Sequence, residues 1–382
     1  MNAQPGLPFS AAYGRLREAA TIRATRRANE LKQAGHDILV ISGGQPDFDT
    51  PQHIKDAAIA AIVAGDTKYT PTDGSRALKD AIIAKVARDY GLAVERNQVV
   101  VGTGGKQIVF NAFFATVGEG DEVIIQRPYY PSYPDIVELL GATPVFVDTT
   151  QESGLKLTPE ALEAAITPRT RWLVINSPSN PSGAVYTADE LAGLAGVLMR
   201  HPHVHVLSDD IYEHIVFGGA RFTSILTVEP RLAGRTLILN GVSKGHCMTG
   251  WRIGYGVGPR PLIGAMARLQ GQETNGACSI SQAAAVAALN GPMDFVAVHN
   301  AAYERRRDVV VTAAAGEGEQ DDGDGESRRS HPAPNLPGSL RIGSPPNCRC
   351  MKTLASLADA RSGSRRSWTA SSIAGSATAP PS

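Results

Sequence analysis

One lysine in a turn of small residues has the surroundings of a covalent cofactor site. Lys244 follows a short apolar strand predicted over 236–239 and precedes Arg252 and a second apolar strand over 253–257. An amine at the mouth of a buried sheet can bond to a carbonyl carbon, and the Arg252 guanidinium with the Ser243 hydroxyl can neutralise a phosphate. The pattern therefore indicates a carbonyl cofactor that carries a phosphate. An ordinary loop lysine is the alternative on these residues alone.

A second pattern suited to phosphate lies earlier in the chain. The buried-strand run 99–101 is followed by the turn GTGGKQ at 102–107, which opens a helix. Backbone N–H groups and the positive end of a helix dipole bind phosphate, which makes Gly104, Gly105 and Lys106 candidates. The spacing is not G-x-G-x-x-G, and no acidic residue closes a following strand, so the dinucleotide-binding motif is excluded. The turn is a weak signal by itself and gains weight from the later lysine and arginine.

A carboxylate is predicted at the carboxyl end of another buried strand, which begins near Val206. A buried Asp209 needs a positive partner or it takes up a proton, and a protonated pyridine nitrogen is such a partner. The separation between Asp209 and Lys244 leaves room for a helix and the next strand. The loop at 176–183 also follows a buried strand, as expected of a ligand loop in an open α/β sheet, although turn formation alone would explain its Asn-Pro pair.

The lysine segment resembles the signature of class I aminotransferases, which are pyridoxal-phosphate enzymes of fold type I. The match consists of Ser243 and Lys244 followed by MTGWRIG at 248–254, and Cys247 departs slightly from the small residue usual in the family. The resemblance covers about residues 9–311. It implies an α/β fold with a mixed, mainly parallel seven-stranded sheet sandwiched by helices. It also implies pyridoxal 5'-phosphate as cofactor and amino-group transfer between an L-amino acid and a 2-oxo acid.

The resemblance assigns catalytic and ring-binding roles to individual residues. Lys244 holds the cofactor and then moves a proton as general base and acid, while Asp209 supports the pyridinium nitrogen. Asn180 and Tyr212 bond the ring oxygen, with Tyr212 placed one helical turn after Asp209. Tyr130 stacks on the ring, and its neighbours Tyr129 and Tyr133 are interpreted as packing residues.

The same resemblance assigns the remaining contacts to the cofactor phosphate and to the substrate. Tyr69 reaches across a dimer interface to the partner's cofactor, so a homodimer is expected. Lys106 matches a lysine that meets an acidic substrate side chain, which favours aspartate or glutamate; a serine that assists it in the family is replaced by Ala19. The phosphate and cofactor contacts are Gly104, Gly105, Lys106, Ser243, Arg252 and Tyr69, and the substrate contacts are Gly44, Tyr130 and Asn180.

Composition and charge narrow the class of protein further. The 382 residues carry 37 Lys+Arg and 37 Asp+Glu, so no basic field favours nucleic acid. No apolar run is long enough to span a bilayer and no signal peptide precedes the first helix, so a cytoplasmic protein without membrane contact is predicted. Three alternating histidines are interpreted as bracketing a strand, and no metal site is predicted.

The character of the chain changes at Thr312. Residues 312–382 contain no Val, Phe or Tyr and are rich in Gly, Ser, Ala, Pro and Arg, which predicts an aberrant, mostly disordered tail. We interpret the change as a reading-frame shift near this codon. The predicted division is therefore 1–50 for the N-terminal segment and part of a small domain, 51–292 for the large cofactor-binding domain, 293–311 for the start of the C-terminal small domain, and 312–382 for the tail.

Two functions follow from this division. The first is a working pyridoxal-phosphate aminotransferase that acts on small amino acids and 2-oxo acids. The second is a non-catalytic or impaired cofactor-binding remnant, because the incomplete small domain lacks the arginine that would clamp the substrate carboxylate.

Overall fold

The computed structural model describes residues 8–16, 20–37 and 44–316, with no account of the side chains of 20–22 and 314–316. Ala19 and most of the predicted tail lie outside the described residues. The last helix runs to Gly316, past the boundary predicted at 311.

A seven-stranded sheet forms the centre of the molecule, in the order β1-β7-β6-β5-β4-β2-β3. Five strands run parallel as neighbours, and β7 pairs antiparallel with the strands on both its sides. The predicted mixed, mainly parallel seven-stranded sheet is therefore confirmed. The strands are β1 (Val99–Gly102), β2 (Glu122–Arg127), β3 (Thr143–Asp148), β4 (Thr170–Asn176), β5 (His205–Asp209), β6 (Thr236–Gly241) and β7 (Gly254–Val257).

Twelve α-helices and three short 3₁₀-helices occur in the described part of the chain, and most of the α-helices cover the two faces of the sheet. Local signals set several of their ends: Thr187 and Glu190 form a reciprocal capping box at α8, and Gly91 ends α4 in the left-handed conformation. The helices are α1 (Ala11–Arg15), α2 (Ala20–Gln33), α3 (Gln52–Val63), α4 (Arg76–Tyr90), α5 (Gly105–Thr116), α6 (Ser132–Leu139), α7 (Pro159–Ala165), α8 (Ala188–Arg200), α9 (Ile225–Val228), α10 (Arg260–Glu273), α11 (Ser279–Asn290) and α12 (Asp294–Gly316). Each helix in that part of the chain is too short or too polar to span a bilayer.

Alternate residues of the strands feed two separate hydrophobic clusters, one on each face of the sheet. Ile124 and Leu173 belong to one cluster, whereas their neighbours Ile125 and Val174 belong to the other. Successive strand side chains point to opposite faces, so a strand covered on both faces reads as a continuous apolar run. This is why the central strands can be predicted from unbroken Val, Ile and Leu runs.

The parallel strands end at one edge of the sheet, and the predicted site residues follow them there. Asn176 ends β4, Asp209 ends β5, and β6 leads through Gly241 to Lys244. The glycine turn after β1 lies nearby because β7 pairs with both β1 and β6. Ligands of open α/β sheets bind at this edge.

Beneath the lysine turn, His246 is buried against α11 and α12. Its ring lies 5.7 Å from that of His214 and 6.3 Å from that of Phe295, measured between centroids. Its Nδ1 has no hydrogen-bond partner among the described residues. Burial, with a smaller effect of His214, lowers the pKa of His246 from 6.5 to about 3.

The depressed pKa of His246 predicts a loss of stability in mild acid. Below about pH 6.5 the unfolded chain binds a proton at this histidine that the folded chain refuses, so the free energy of unfolding falls as the pH is lowered. Between about pH 6.5 and about pH 5, the free energy of unfolding should fall by about 1.5 kcal/mol less in His246→Gln than in the wild type. Urea titrations at several pH values measure this, and His36→Gln, at an exposed histidine, is the control. An unchanged pH dependence in His246→Gln would contradict the prediction.

Candidate active site

The turn between β1 and α5 lies against Arg252 and is a candidate anion-binding turn. Gly104 has φ of +87° and precedes the first turn of α5, whose free N–H groups and dipole favour negative charge. A Cβ on Gly104 would lie 2.4 Å from Arg252 Nη2, so the guanidinium packs directly on the glycine. Arg252 Nη1 donates a 3.0 Å hydrogen bond to Thr249 O, and the buried Ser243 lines the same cleft. The arrangement suits a phosphate.

Gly254 is a site residue that the sequence interpretation did not single out. A Cβ at Gly254 would lie 2.3 Å from Gly105 N and 2.5 Å from Gly104 C. Because these are backbone atoms, no side chain can move aside to relieve the contact. Gly254 thus lets β7 approach the anion-binding turn closely, and the only sequence signal for it was its place in the run at 248–254.

Gly254→Ala should displace the anion-binding turn. We expect the free energy of unfolding to fall by about 2–3 kcal/mol and the affinity for pyridoxal phosphate, or for inorganic phosphate, to fall at least about tenfold. Gly250→Ala is the control, since a Cβ there meets nothing within 4 Å. Calorimetry and denaturant titration measure both quantities. Equal phosphate affinity in the two variants would contradict the role given to Gly254.

Lys244 points into the cleft with its amine held between two groups. Its Nζ donates a 2.7 Å hydrogen bond to Gly44 O and lies 5.7 Å from the ring centroid of Tyr212. Burial first, and then the charge of Arg252, lower the pKa of Lys244, while Asp209 opposes the shift. A lowered pKa increases the fraction of neutral amine, which is the nucleophilic form.

Asp209 is buried and is held by two hydrogen bonds. Tyr133 Oη donates a 2.6 Å bond to Oδ2, and Ile211 N donates a 3.2 Å bond to Oδ1. Burial raises the pKa of Asp209 to about 6, against the hydrogen bond from Tyr133. The interpretation of Tyr133 as a packing residue was therefore incomplete, and no local signal could reveal a contact across 76 residues of sequence.

Two asparagines join the loop after β4 to the end of β5. Asn176 Nδ2 donates a 2.9 Å bond to Asp209 O, and Asn176 Oδ1 accepts a 2.7 Å bond from Asn180 N. Asn180 hydrogen-bonds Tyr212 and lowers its pKa, whereas burial raises that pKa by more. Residues 211–214 form a hydrogen-bonded turn, and this turn carries Tyr212 to the cleft. Asn176 is a second residue that the sequence interpretation missed.

Tyr130 and Lys106 face each other across the cleft. Lys106 Nζ lies 5.8 Å from the ring centroid of Tyr130, and the Tyr130 ring meets Tyr133 edge-on at 5.5 Å. Tyr129 also lines the cleft, and its ring stacks on that of Phe146 with 5.0 Å between centroids. The flat face of Tyr130 can therefore contact a planar ligand.

The structure brings most of the predicted site residues into one cleft of about 1400 Å³. Gly104 adjoins this cleft through Arg252, whereas Tyr69 is 91% exposed and does not line it. Among the described residues, no group of three or more His, Cys, Asp or Glu side chains could hold a metal ion. The predicted residues that line the cleft are Gly44, Gly105, Lys106, Tyr130, Asn180, Asp209, Tyr212, Ser243, Lys244 and Arg252.

Comparison with known proteins decides the family. The model of the aminotransferase class I and II family matches residues 36–318. The chain belongs to this family. It is an aminotransferase that transfers amino groups with pyridoxal phosphate as cofactor, as the lysine signature predicted.

Curated relatives of the aminotransferase share about half of its residues. The aspartate/prephenate aminotransferase of Cereibacter sphaeroides is 56% identical over 304 residues, which are 80% of this chain and 76% of that protein. The aspartate aminotransferase of Rhizobium meliloti is 55% identical over 285 residues, which are 75% of this chain and 70% of that protein.

Solved structures confirm the fold of the aminotransferase. The crystal structure of the Rhizobium meliloti aspartate aminotransferase superposes with a TM-score of 0.79 at 50% identity, covering 81% of this chain and 78% of that one. The Thermus thermophilus aspartate aminotransferase with maleate gives a TM-score of 0.78 at 40% identity, covering 82% and 81%. The predicted fold type I architecture is therefore confirmed.

The residues of the cleft fit pyridoxal phosphate. Gly104 has no room for a side chain beside Arg252, so the turn presents backbone N–H groups and a guanidinium to an anion. Asp209 lies in the same cleft, as does Lys244, whose pKa is lowered. An anion site, an amine nucleophile and a buried carboxylate are the groups that the phosphate, the carbonyl and the ring nitrogen of this cofactor require.

Proposed function

We propose that the aminotransferase acts on the dicarboxylic amino acids aspartate and glutamate. The observation that carries this substrate class is Lys106, a cation at the N-terminus of α5 that lines the cleft beside Tyr130. A lysine there can pair with a side-chain carboxylate, and the positive end of the α5 dipole adds to the attraction. The names of the relatives support the same class.

In this proposal, the polar groups of the cleft hold the cofactor at its two ends. Arg252 and Ser243 would hold the phosphate with the backbone N–H groups of Gly104, Gly105 and Lys106 at the α5 turn, and Tyr69 of the partner subunit would add a hydroxyl. Asp209 would hold a proton on the ring nitrogen, and the hydrogen bond from Tyr133 would favour the ionised form of the Asp209 carboxylate. Asn180 and Tyr212 donate to the ring oxygen, and Tyr130 covers the ring face.

Lys244 carries out the proton transfer in this proposal. When bound, pyridoxal phosphate supplies a ring that accepts the electron pair of the substrate Cα–H bond. Lys244 Nζ would hold the cofactor at its carbonyl carbon, and as a free amine it would take the proton from the substrate Cα as a general base. Its hydrogen bond to Gly44 O places the amine beside the backbone proposed to meet the substrate carboxylate, with Tyr130 and Asn180 as the other substrate contacts.

An assay with matched donors tests the substrate class. Purified protein with pyridoxal phosphate is given aspartate, glutamate or alanine as donor and a 2-oxo acid as acceptor. We expect kcat/KM for aspartate to exceed that for alanine by about 10²-fold, and Lys106→Met to remove most of this preference. Equal rates with all three donors would overturn the dicarboxylic assignment. A bound cofactor without transfer to any acceptor would support the impaired remnant instead.

Prephenate is a second acceptor that we propose for the same cleft. The relatives named aspartate/prephenate aminotransferase support it, and so does the cleft volume of about 1400 Å³. A ligand site of about 300–1000 Å³ already holds a drug-sized molecule, so a cyclic 2-oxo acid fits beside the cofactor. Glutamate-dependent consumption of prephenate, followed by chromatography, tests this acceptor.

A homodimer completes the proposed site. The support is Tyr69, which is 91% exposed in one chain, together with exposed apolar side chains on α3 such as Ile62 and Val63. Covering such side chains stabilises an interface. Sedimentation velocity measures the oligomeric state, and Tyr69→Phe should weaken pyridoxal phosphate binding without unfolding the chain.

The domain division 1–50, 51–292, 293–311 and 312–382 stays a proposal, and α12 crosses its third boundary. The cytoplasmic location and the lack of nucleic-acid and membrane partners also stay predictions from the sequence. Cell fractionation tests the location.

A further inference from the structure

A buried chain of hydrogen bonds lies behind the cleft, outside the residues that line it. Tyr90, the last residue of α4, donates a 2.8 Å hydrogen bond from Oη to Glu213 Oε2. The same Oη accepts a 3.1 Å bond from Asn240 Nδ2. All three residues are buried, and their contacts span 123 and 150 residues of sequence.

The charge of Lys85 lies next to Glu213 and favours Tyr90 as the donor in their hydrogen bond. Lys85 Nζ lies 2.7 Å from Glu213 Oε1 and 4.9 Å from the ring centroid of Tyr90. Burial, and then the charge of Glu213, raise the pKa of Tyr90 well above its ordinary range. Tyr90 is therefore a neutral donor, and the carboxylate that accepts from it is paired with Lys85, which strengthens the hydrogen bond.

The two ends of this chain of hydrogen bonds lie next to the turns that carry Tyr212 and Lys244. Glu213 directly follows Tyr212 in the turn after β5. Asn240 is near the end of β6, four positions before Lys244, and its Oδ1 accepts a 2.7 Å bond from Gly241 N. The bond from Asp210 N to Leu239 O joins the two strands just before they diverge.

We propose that Tyr90, Glu213 and Asn240 form a positioning bridge that holds the Tyr212 turn against the Lys244 turn. The β5–β6 ladder ends at Asp210, so it does not connect the Tyr212 turn to the Lys244 turn. The bridge connects these two turns through Tyr90 of α4. Close packing of His214 on Gly245 follows, where a Cβ would lie 2.9 Å from His214 Cδ2. The inference rests on the proposed roles of Tyr212 and Lys244.

Tyr90→Phe tests the bridge, with Tyr186→Phe as a matched control. Tyr186 Oη is equally buried, donates to Gln126 Oε1 and accepts a 2.8 Å bond from Leu157 N, so both variants lose one donated and one accepted bond. Hydrogen–deuterium exchange of the cofactor-free protein is the first measurement. Tyr90→Phe should speed exchange about threefold to tenfold in both 211–214 and 243–247, and Tyr186→Phe should speed neither.

Affinity for pyridoxal phosphate is the second measurement. We expect Tyr90→Phe to raise Kd about threefold to tenfold and Tyr186→Phe to leave it unchanged. Asn240→Ala breaks the bridge from its other end and should also speed exchange in both segments and raise Kd. This variant tests the bridge if Tyr90→Phe folds poorly. Unchanged exchange in both segments, or an equal effect from Tyr186→Phe, would overturn the proposal. Failure of the wild type to bind cofactor would overturn the proposed function and leave the exchange result to decide the bridge.

Discussion

Lys244→Ala should abolish the covalent link to pyridoxal phosphate and reduce amino-group transfer by about 10⁴-fold or more. The amine of Lys244 is the group in the cleft with a lowered pKa and a hydrogen bond to Gly44 O. Removing it takes away both the nucleophile and the base proposed for the Cα proton. Borohydride reduction followed by peptide mass spectrometry should find the cofactor on Lys244 in the wild type and on no peptide of the variant.

Lys106→Ala is the control for the lysine assignment, because Lys106 lines the same cleft. This variant should keep the covalent link, and its defect should fall mainly on KM for dicarboxylic substrates. The Arg252 and Gly104 site remains in Lys244→Ala, so phosphate-dependent binding of the cofactor should persist there. Substantial turnover by Lys244→Ala, or a reduced link at Lys106, would refute the assignment.

Asp209→Asn should lower kcat by about 10²–10³-fold while stabilising the cofactor-free protein at alkaline pH. The carboxylate is proposed to keep the ring nitrogen charged, which a neutral amide cannot do. Burial raises the folded-state pKa of Asp209 to about 6, above its ordinary value of 3.8. The folded chain therefore holds this proton more tightly than the unfolded chain, and stability decreases as the pH rises through that range.

Removing the buried charge should remove this loss of stability at high pH. At about pH 8 we expect the free energy of unfolding of cofactor-free Asp209→Asn to exceed that of the wild type by about 1–2 kcal/mol. The difference should vanish near about pH 4, where Asp209 is protonated in the folded wild type. Asp189→Asn, at an exposed carboxylate, is the control for both measurements. Full activity of Asp209→Asn, or a stability difference independent of pH, would contradict the role of Asp209.

Lys244→Ala and Asp209→Asn test the contributions of the two residues separately. In the proposed site, Lys244 would supply reactivity through its lowered pKa, and Asp209 would supply charge at an energetic cost to the empty protein. Tyr133 reduces that cost by donating a 2.6 Å hydrogen bond to the carboxylate. The site is thus assembled at the expense of stability, which cofactor binding would restore.

The sequence by itself predicted the strands that lead to the cleft, and most of the site residues predicted from it line that cleft. Strands such as β4 and β6 are buried on both faces, so continuous apolar runs identify them without knowledge of their neighbours. Turn chemistry then marks the edge where ligands bind, because Gly, Asn and Pro follow those runs at the strand ends. The segment from Ser243 to Gly254 resembles the lysine signature of the family, and that resemblance implied the cofactor.

Only the tertiary structure decided which distant side chains meet. The hydrogen bond from Tyr133 to Asp209, the double contact of Asn176 and the bridge through Tyr90 join segments far apart in the chain. Local propensity cannot encode these contacts, because they depend on the strand order and on the antiparallel placement of β7. The same reason explains Gly254, whose lack of a side chain matters only because β7 lies against the turn after β1.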